Sequence, residues 1–417
     1  MSAVRALAEK THAAYQNFLG QGTTRLKNDV LLTLAGLLEA GSRVLDAENK
    51  KDLEAGEKAG LSGAFLDRLA LNDRRIQGMI DACRDIARLN DPVGRIYDMV
   101  VRPEGFRVGR MRVPIGVIGI IYEARPNVTV EAAALCLKSG NAVILRGGSD
   151  AYHSNMALIG IIQKALVAHD VDPYLISFLE SRDREAVNEM LIQDDLIHLI
   201  IPRGGEGLIR SVVEKSRIPV LKHYKGICHV YVHEKADREM AVNIVLNAKV
   251  QRPAVCNAAE TLLVDGAVAQ VMLPEILKKL QEAGVEIRGC EKTRAIYKQD
   301  VKPATEADYH AEYLDLIIAV RIVENINEAV RHINTYGSGH TDAIVTGDML
   351  AAGFFENNVD SASVMVNATT RLSDGSVYGL GAEIGISTDR LHARGPMGLE
   401  ELTTYKWIVH GNGHLRT

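Results

Sequence analysis

Leu196-Ile197-His198-Leu199-Ile200-Ile201 runs straight into Pro202-Arg203-Gly204-Gly205-Glu206-Gly207, and Leu208 to Lys215 then reads as a helix. A short apolar run, a glycine turn and a helix are the grammar of a parallel sheet buried on both faces. Such a turn also aims backbone N–H groups at a point before the helix, the arrangement that receives phosphate. It is not G-x-G-x-x-G, so the standard dinucleotide fingerprint is absent. A plain tight turn accounts for these residues equally well.

The same grammar recurs on either side. Ile115 to Tyr122, Ala142 to Arg146 and Ile218 to Leu221 are short apolar runs separated by amphipathic segments. A second series follows Cys228: Thr261 to Asp265, Leu316 to Val323, Asp342 to Thr346 and Ser363 to Val366. The first 90 residues instead read as helices, with Val30, Leu31, Leu34, Leu37, Leu38 and Leu45 at helical spacing and Ser62 as a cap. Two successive α/β units predict a cofactor-binding domain over 1–225 and a catalytic domain over 226–366. A return segment over 367–417 completes the chain. Phe106 to Val113 alternates at period two, which predicts a ribbon exposed on one face, interrupting the first domain at about 105–114.

At 417 residues the chain is long enough for two or three domains with real cores. A net charge of −5 argues against a nucleic-acid footprint. No apolar run approaches the length needed to span a bilayer, and no signal-peptide block opens the sequence. The five cysteines have neither C-x-x-C spacing nor a disulfide rhythm, so no metal site is expected and a reducing cytoplasm fits best.

One cysteine stands apart. Gln251-Arg252-Pro253-Ala254-Val255-Cys256-Asn257 lies between a helical and a strand-like stretch, and Pro253 cannot continue the helix. A thiol on such a loop is displayed, and a nearby arginine favours the nucleophilic thiolate. A buried or incidental cysteine would read the same way from this window alone. Asn127, in Tyr122-Glu123-Ala124-Arg125-Pro126-Asn127-Val128-Thr129, starts a helix that ends at Gly140. It is an N-cap or, alternatively, an amide donor to a developing oxyanion. Arg146, in Arg146-Gly147-Gly148-Ser149, ends a strand where open sheets place ligands; it could pair with a ribose phosphate or simply face solvent.

These blocks, together with Leu391-His392-Ala393-Arg394-Gly395-Pro396-Met397-Gly398-Leu399-Glu400, resemble the aldehyde dehydrogenase superfamily from Val30 to Trp407. The resemblance implies a Rossmann-type cofactor domain, an α/β catalytic domain and a small β oligomerisation flap. It implies that Cys256 is the catalytic thiol and that Asn127 shares the oxyanion with the cysteine N–H. Arg146 falls where the superfamily usually has a lysine on the adenosine ribose, a departure that bears on NADP against NAD. Gly204 and Gly205 match the turn near the pyrophosphate, and Glu312 matches the glutamate on the nicotinamide ribose.

A further departure bears on the reaction. Aldehyde-oxidising members carry a Glu-Leu-Gly-Gly segment whose glutamate activates water. Here the stretch reads Val220-Leu221-Lys222-His223-Tyr224-Lys225-Gly226, without a carboxylate. A reductase must keep water from its thioester. That departure favours acyl-phosphate chemistry over hydrolytic oxidation, and the resemblance implies reduction of L-glutamyl 5-phosphate with NADPH, the second step of proline biosynthesis. Hydrolytic aldehyde oxidation and a non-catalytic scaffold are the alternatives. The resemblance also implies a homodimer or dimer of dimers, and contact with the glutamate 5-kinase that makes the substrate. His229 is a candidate acid–base group, although its alternating strand suits a structural role.

Overall fold

Ser2, Thr23, Ser62 and Asn72 each accept a hydrogen bond from the backbone N–H three residues on, and each opens a helix: Ala3–Gln21, Thr24–Ala40, Gly63–Leu69 and Asp73–Arg88. With Ser42–Lys58 they make the first 90 residues helical, as the apolar spacing predicts. Val30, Leu31, Leu34, Leu38 and Leu45 are all buried. The computed structural model describes residues 2–416 apart from Ala124 and the side chain of Ala64. The predicted limits at 1 and 417 lie outside the described residues, as does Ala124 within its motif.

The chain divides into two units. One runs to Lys222 and takes back Gly379–Gly385 and the residues from Met397 on; the other comprises His223–Tyr378 and Ile386–Pro396. The second unit thus extends past the predicted limit at 366, because the segment after it stays hydrogen-bonded to the loop that holds Cys256.

The first unit contains two sheets. Strands β1 (Ile96–Val101) and β2 (Arg107–Pro114) pair antiparallel, and Thr403–His410 pairs with the other side of β2. The expected ribbon is therefore the centre of a three-stranded flap. Strand β1 was not legible, being largely exposed and interrupted at Asp98, where φ is 54°. The second sheet is parallel: β3 (Val117–Tyr122), β4 (Ala142–Arg146), β5 (Ile176–Phe178) and β6 (Leu199–Arg203), in the order β5-β4-β3-β6. Successive connections build outward from β3 through β5, then return to its other side for β6. That reversal leaves a crevice at the carboxyl ends of β3 and β6. The predicted strand at Ile218 to Leu221 is only one bridge, Ile200 to Val220, since Pro219 has no N–H to donate.

The second unit is built on one parallel sheet. Its strands are β7 (Cys228–Val232), β8 (Ala259–Asp265), β9 (Glu286–Gly289), β10 (Lys302–Pro303), β11 (Ile317–Val323), β12 (Thr341–Val345) and β13 (Ser363–Val366), ordered β10-β9-β11-β8-β7-β12-β13. Alternate residues serve opposite faces. Val230, Val232, Leu262 and Val264 join a core with Ala241, Val245, Leu273 and Leu277 from two helices. Tyr231, Leu263 and Ile344 face the other way, onto Ile333 and Phe355. Continuous apolar strands follow from having both faces covered.

Candidate active site

Three loops of the second unit converge at the amino ends of the adjacent strands β11, β8 and β7. The helix Arg238–Val250 stops before Pro253, and the loop that follows carries Cys256 into β8. Gly226 leads into β7, and its N–H donates to Glu312 Oε1 at 2.8 Å. Glu312 in turn precedes β11. Gly226 also lies directly against Cys256: a Cβ built there would be 2.5 Å from both its carbonyl carbon and its Cα. Cys256 and Glu312, both expected site residues, are therefore brought together by a glycine that no sequence motif singled out.

Cys256 has a second close neighbour. The Cys228 thiol donates to the Cys256 carbonyl oxygen at 3.2 Å, with His340 Nδ1 at 3.8 Å from the same sulfur. Cys228 is fully buried, and burial raises its pKa well above the ordinary thiol value. Its sequence position, opening a strand, gave no hint of this contact. Cys83 and Cys136 are core residues; burial pushes the Cys83 thiol up to about 12. His229 is buried too, with Nδ1 2.8 Å from Asp342 Oδ1, which also accepts the His229 backbone N–H. That pairing fits a structural histidine.

A buried ion pair fixes both ends of the loop that carries Cys256. Lys249 Nζ lies 2.6 Å from Glu260 Oε2, and neither side chain is exposed. Lys249 lies in the last turn of the helix before the loop, and Glu260 is the second residue of the strand after it. The second oxygen of Glu260 accepts the Leu314 N–H at 3.2 Å, tying the same pair to the Glu312 loop. Burial pushes Glu260 up to about 7 and lowers Lys249, against their mutual attraction. Breaking such a pair by removing one partner costs about 3–5 kcal/mol.

The first unit holds the other expected residues, all at the carboxyl edge of its parallel sheet. Asn127 is the first residue of the helix Asn127–Lys138, not its cap; Pro126 occupies the cap position and offers no side-chain bond. The Asn127 amide instead reaches forward, Nδ2 donating to Glu131 Oε1 at 3.0 Å. The N-cap reading is thereby corrected: the proline already occupies that position, and the amide keeps a second hydrogen. Burial raises the Glu131 carboxyl, offset by Asn127, Arg203 and Arg125.

Gly204 and Gly205 follow β6. A Cβ at Gly204 would meet the Glu123 carboxyl carbon at 2.6 Å, so the glycine lets the Glu123 side chain pack against this turn. Gly205 caps the helix Glu206–Lys215 without a side chain. The first amides of that helix accordingly receive no capping side chain, as at a phosphate-binding turn. Arg146 ends β4, half-buried. Its Nη1 and Nη2 donate to the carbonyls of Gly147 and Arg182 at 3.0 and 3.4 Å, and its buried Nε has no partner among the described residues. Burial and then Arg184 lower its pKa. Arg146 is not a solvated surface arginine.

Among the described residues no group of three or more potential ligands could hold a metal, and no helix is long and apolar enough to cross a membrane. Residues 67–294 match the family model of the aldehyde dehydrogenase family. The gamma-glutamyl phosphate reductase of Thermodesulfovibrio yellowstonii is 54% identical over 399 residues, covering 96% of this chain and 95% of that protein. That of Carboxydothermus hydrogenoformans is 53% identical over 416 residues, with 100% of both chains covered. The crystal structure of gamma-glutamyl phosphate reductase from Thermotoga maritima superposes with a TM-score of 0.98 at 48% identity, covering 100% of both chains.

Proposed function

The chain belongs to the aldehyde dehydrogenase family, within its gamma-glutamyl phosphate reductase branch, and on that premise we propose that it reduces L-glutamyl 5-phosphate to L-glutamate 5-semialdehyde and phosphate at Cys256. This is the second step of proline biosynthesis. The observation that carries the reading is the approach of Gly226 to the nucleophile. The 220–226 stretch, where aldehyde-oxidising members hold the water-activating glutamate, reaches Cys256 with a glycine and brings no carboxylate of its own.

Cys256 Sγ attacks the acyl carbon, and phosphate departs with the electrons of the C–O bond, leaving a thioester. One hydrogen of the Asn127 amide goes to Glu131, and the resemblance to the superfamily assigns the other to the oxyanion of each tetrahedral species; one such donor is worth about 3 kcal/mol of barrier. NADPH, when bound, supplies the hydride that reduces the thioester. The C–S bond then breaks, releasing the aldehyde and restoring the thiol. Meanwhile Cys228 and Gly226 keep the Cys256 backbone in place, and the absent base spares the thioester from water.

The residues present suit NADP. The half-buried Arg146 guanidinium, with the Arg184 cation near enough to lower its pKa, supplies positive charge for a ribose phosphate. Gly204, Gly205 and the helix they open would receive the pyrophosphate. Glu312, steadied by Gly226, would hold the nicotinamide ribose.

The flap supports a homodimer or dimer of dimers. Val101, Trp407 and Val409 on its strands are more than half exposed, and an apolar ribbon of this kind calls for a cover. Contact with glutamate 5-kinase and a cytoplasmic location belong to the same proposal; no disulfide links cysteines among the described residues, which suits a reducing compartment. The test is NADP reduction with glutamate 5-semialdehyde, which must require phosphate. Oxidation that proceeds without phosphate would mark a hydrolytic dehydrogenase instead.

A further inference from the structure

Three hydrogen bonds tie one short segment to the nucleophile loop. Thr370 Oγ1 donates to the Asn257 carbonyl at 2.7 Å, Asn257 Nδ2 to the Ser373 carbonyl at 2.9 Å, and Arg371 Nε to Gln251 Oε1 at 2.9 Å. These bonds hold Arg371 against a loop that contains Cys256. The guanidinium is half-buried, and Nε is its one nitrogen with a protein partner among the described residues. Both terminal amino groups, a fork suited to a carboxylate, remain uncommitted. Burial lowers the Arg371 pKa first, then Arg252, while Cys256 and Asp374 act the other way. Sulfur and guanidinium thus lie within electrostatic reach of one another.

Asp374, three residues on, is also half-buried. Its Oδ1 accepts from the Ser376 N–H and hydroxyl and the Val377 N–H, at 2.9, 2.5 and 3.3 Å. Its Oδ2 accepts from no described residue. A cation with an open fork, within electrostatic reach of Cys256, and an anion with an open oxygen, within reach of that cation, therefore stand together.

We propose that Arg371 and Asp374 recognise the α-carboxylate and α-ammonium of an amino-acid substrate whose side-chain carbonyl reacts at Cys256; this rests on the acyl-phosphate reading above. Three C–C bonds of about 1.5 Å separate the reacting carbon from the α-carbon of a glutamyl group, about 4 Å when extended. Recognition groups for the α-end must therefore sit within a side chain's length of the sulfur. A phosphate dianion is the competing ligand for Arg371, but the Asp374 carboxylate would repel it. The zwitterion instead uses both charges.

The experiment measures KM in the oxidative direction, with phosphate and NADP, for three aldehydes. Glutamate 5-semialdehyde carries both α-groups, 5-oxopentanoate only the carboxylate, and 4-aminobutanal only the amine. Arg371→Ala is expected to raise KM on the order of tenfold or more for the first two and not for the third. Asp374→Asn should do so for the first and third and not the second. Arg371→Lys, which keeps the cation and loses the fork, should show the same selectivity in weaker form, so a misfolded alanine variant does not decide the matter. Equal loss on all three aldehydes, or a rise confined to the KM for phosphate, overturns the proposal and leaves acyl-phosphate reduction standing. Wild-type oxidation without phosphate overturns the reading on which it rests.

Discussion

Gly226→Ala tests how the nucleophile is held. The added methyl would sit 2.5 Å from two backbone atoms of Cys256 and closer still to its carbonyl oxygen. Ordinary carbon contacts begin near 3.5 Å, so one backbone must retreat by about 1 Å. The carbonyl oxygen that would be pushed is the one Cys228 holds, and the Gly226 N–H that would move with it is the one on Glu312. Misplacement of a reacting group by about 1 Å costs on the order of 10²-fold in rate. The core of the second unit lies on the far residues of β7 and β8, so the variant should fold. The assay is kcat for phosphate-dependent NADP reduction, read beside thermal unfolding. The control is Gly160→Ala, in the helix Tyr152–Val167, where a Cβ meets nothing within 4 Å. That change should leave kcat alone and add about 0.5–1 kcal/mol of stability. Wild-type kcat in a folded Gly226→Ala protein would refute the reasoning, because the clash would then be absorbed without moving the nucleophile.

Cys256→Ala should abolish turnover with the fold intact, and Cys256→Ser should be nearly as inactive, since a hydroxyl without a base is a poor nucleophile; turnover above about one per cent in either would move the nucleophile elsewhere. Asn127→Ala should lower the rate about 10²-fold with thermal stability almost unchanged, because no helix cap is lost; unfolding at unchanged specific activity would make its role structural. His332 and His340 are buried and held neutral, burial and then neighbouring rings or cations depressing them to about 2 and about 3. The unfolded chain takes up these protons below pH 6.5, so this stability is present above that pH and lost as pH falls toward 3, at about 1.4 kcal/mol per pH unit for each histidine. Urea unfolding at pH 7.5, 5.5 and 4.5 should show the loss, and His332→Phe should flatten it; an unaltered slope would contradict the assignment.

The parts of this molecule that could be read in its sequence are those set by local pattern. Val117–Tyr122 and Ala142–Arg146 are apolar runs with helices on both faces, so their strands were readable to within two residues. Ile176–Phe178 has three residues and Glu286–Gly289 alternates weakly, and neither declares itself without its neighbours. Pro219 turned an apolar run into a single bridge. The same division governs the candidate site. Cys256 sits on a displayed loop and Gly204 in a glycine turn, both local signals. Gly226 matters because a loop thirty residues away packs on it, and Cys228 because its sulfur meets that loop's carbonyl. Lys249 and Glu260 look like surface charges until the helix and strand that carry them close on each other. Asn127 followed a helix-start pattern correctly, but Pro126 already held the cap position, which left its amide to reach Glu131.

The central claim is covalent chemistry at Cys256 on an acyl phosphate. Enzymatically generated L-glutamyl 5-phosphate, mixed with the enzyme in the absence of NADPH, should release a burst of phosphate equal to the number of active sites. Peptide mass spectrometry after a rapid acid quench should then find one glutamyl group on Cys256. A burst that survives in Cys256→Ala, or an adduct on Cys228 or Cys290 with Cys256 unmodified, would contradict the account.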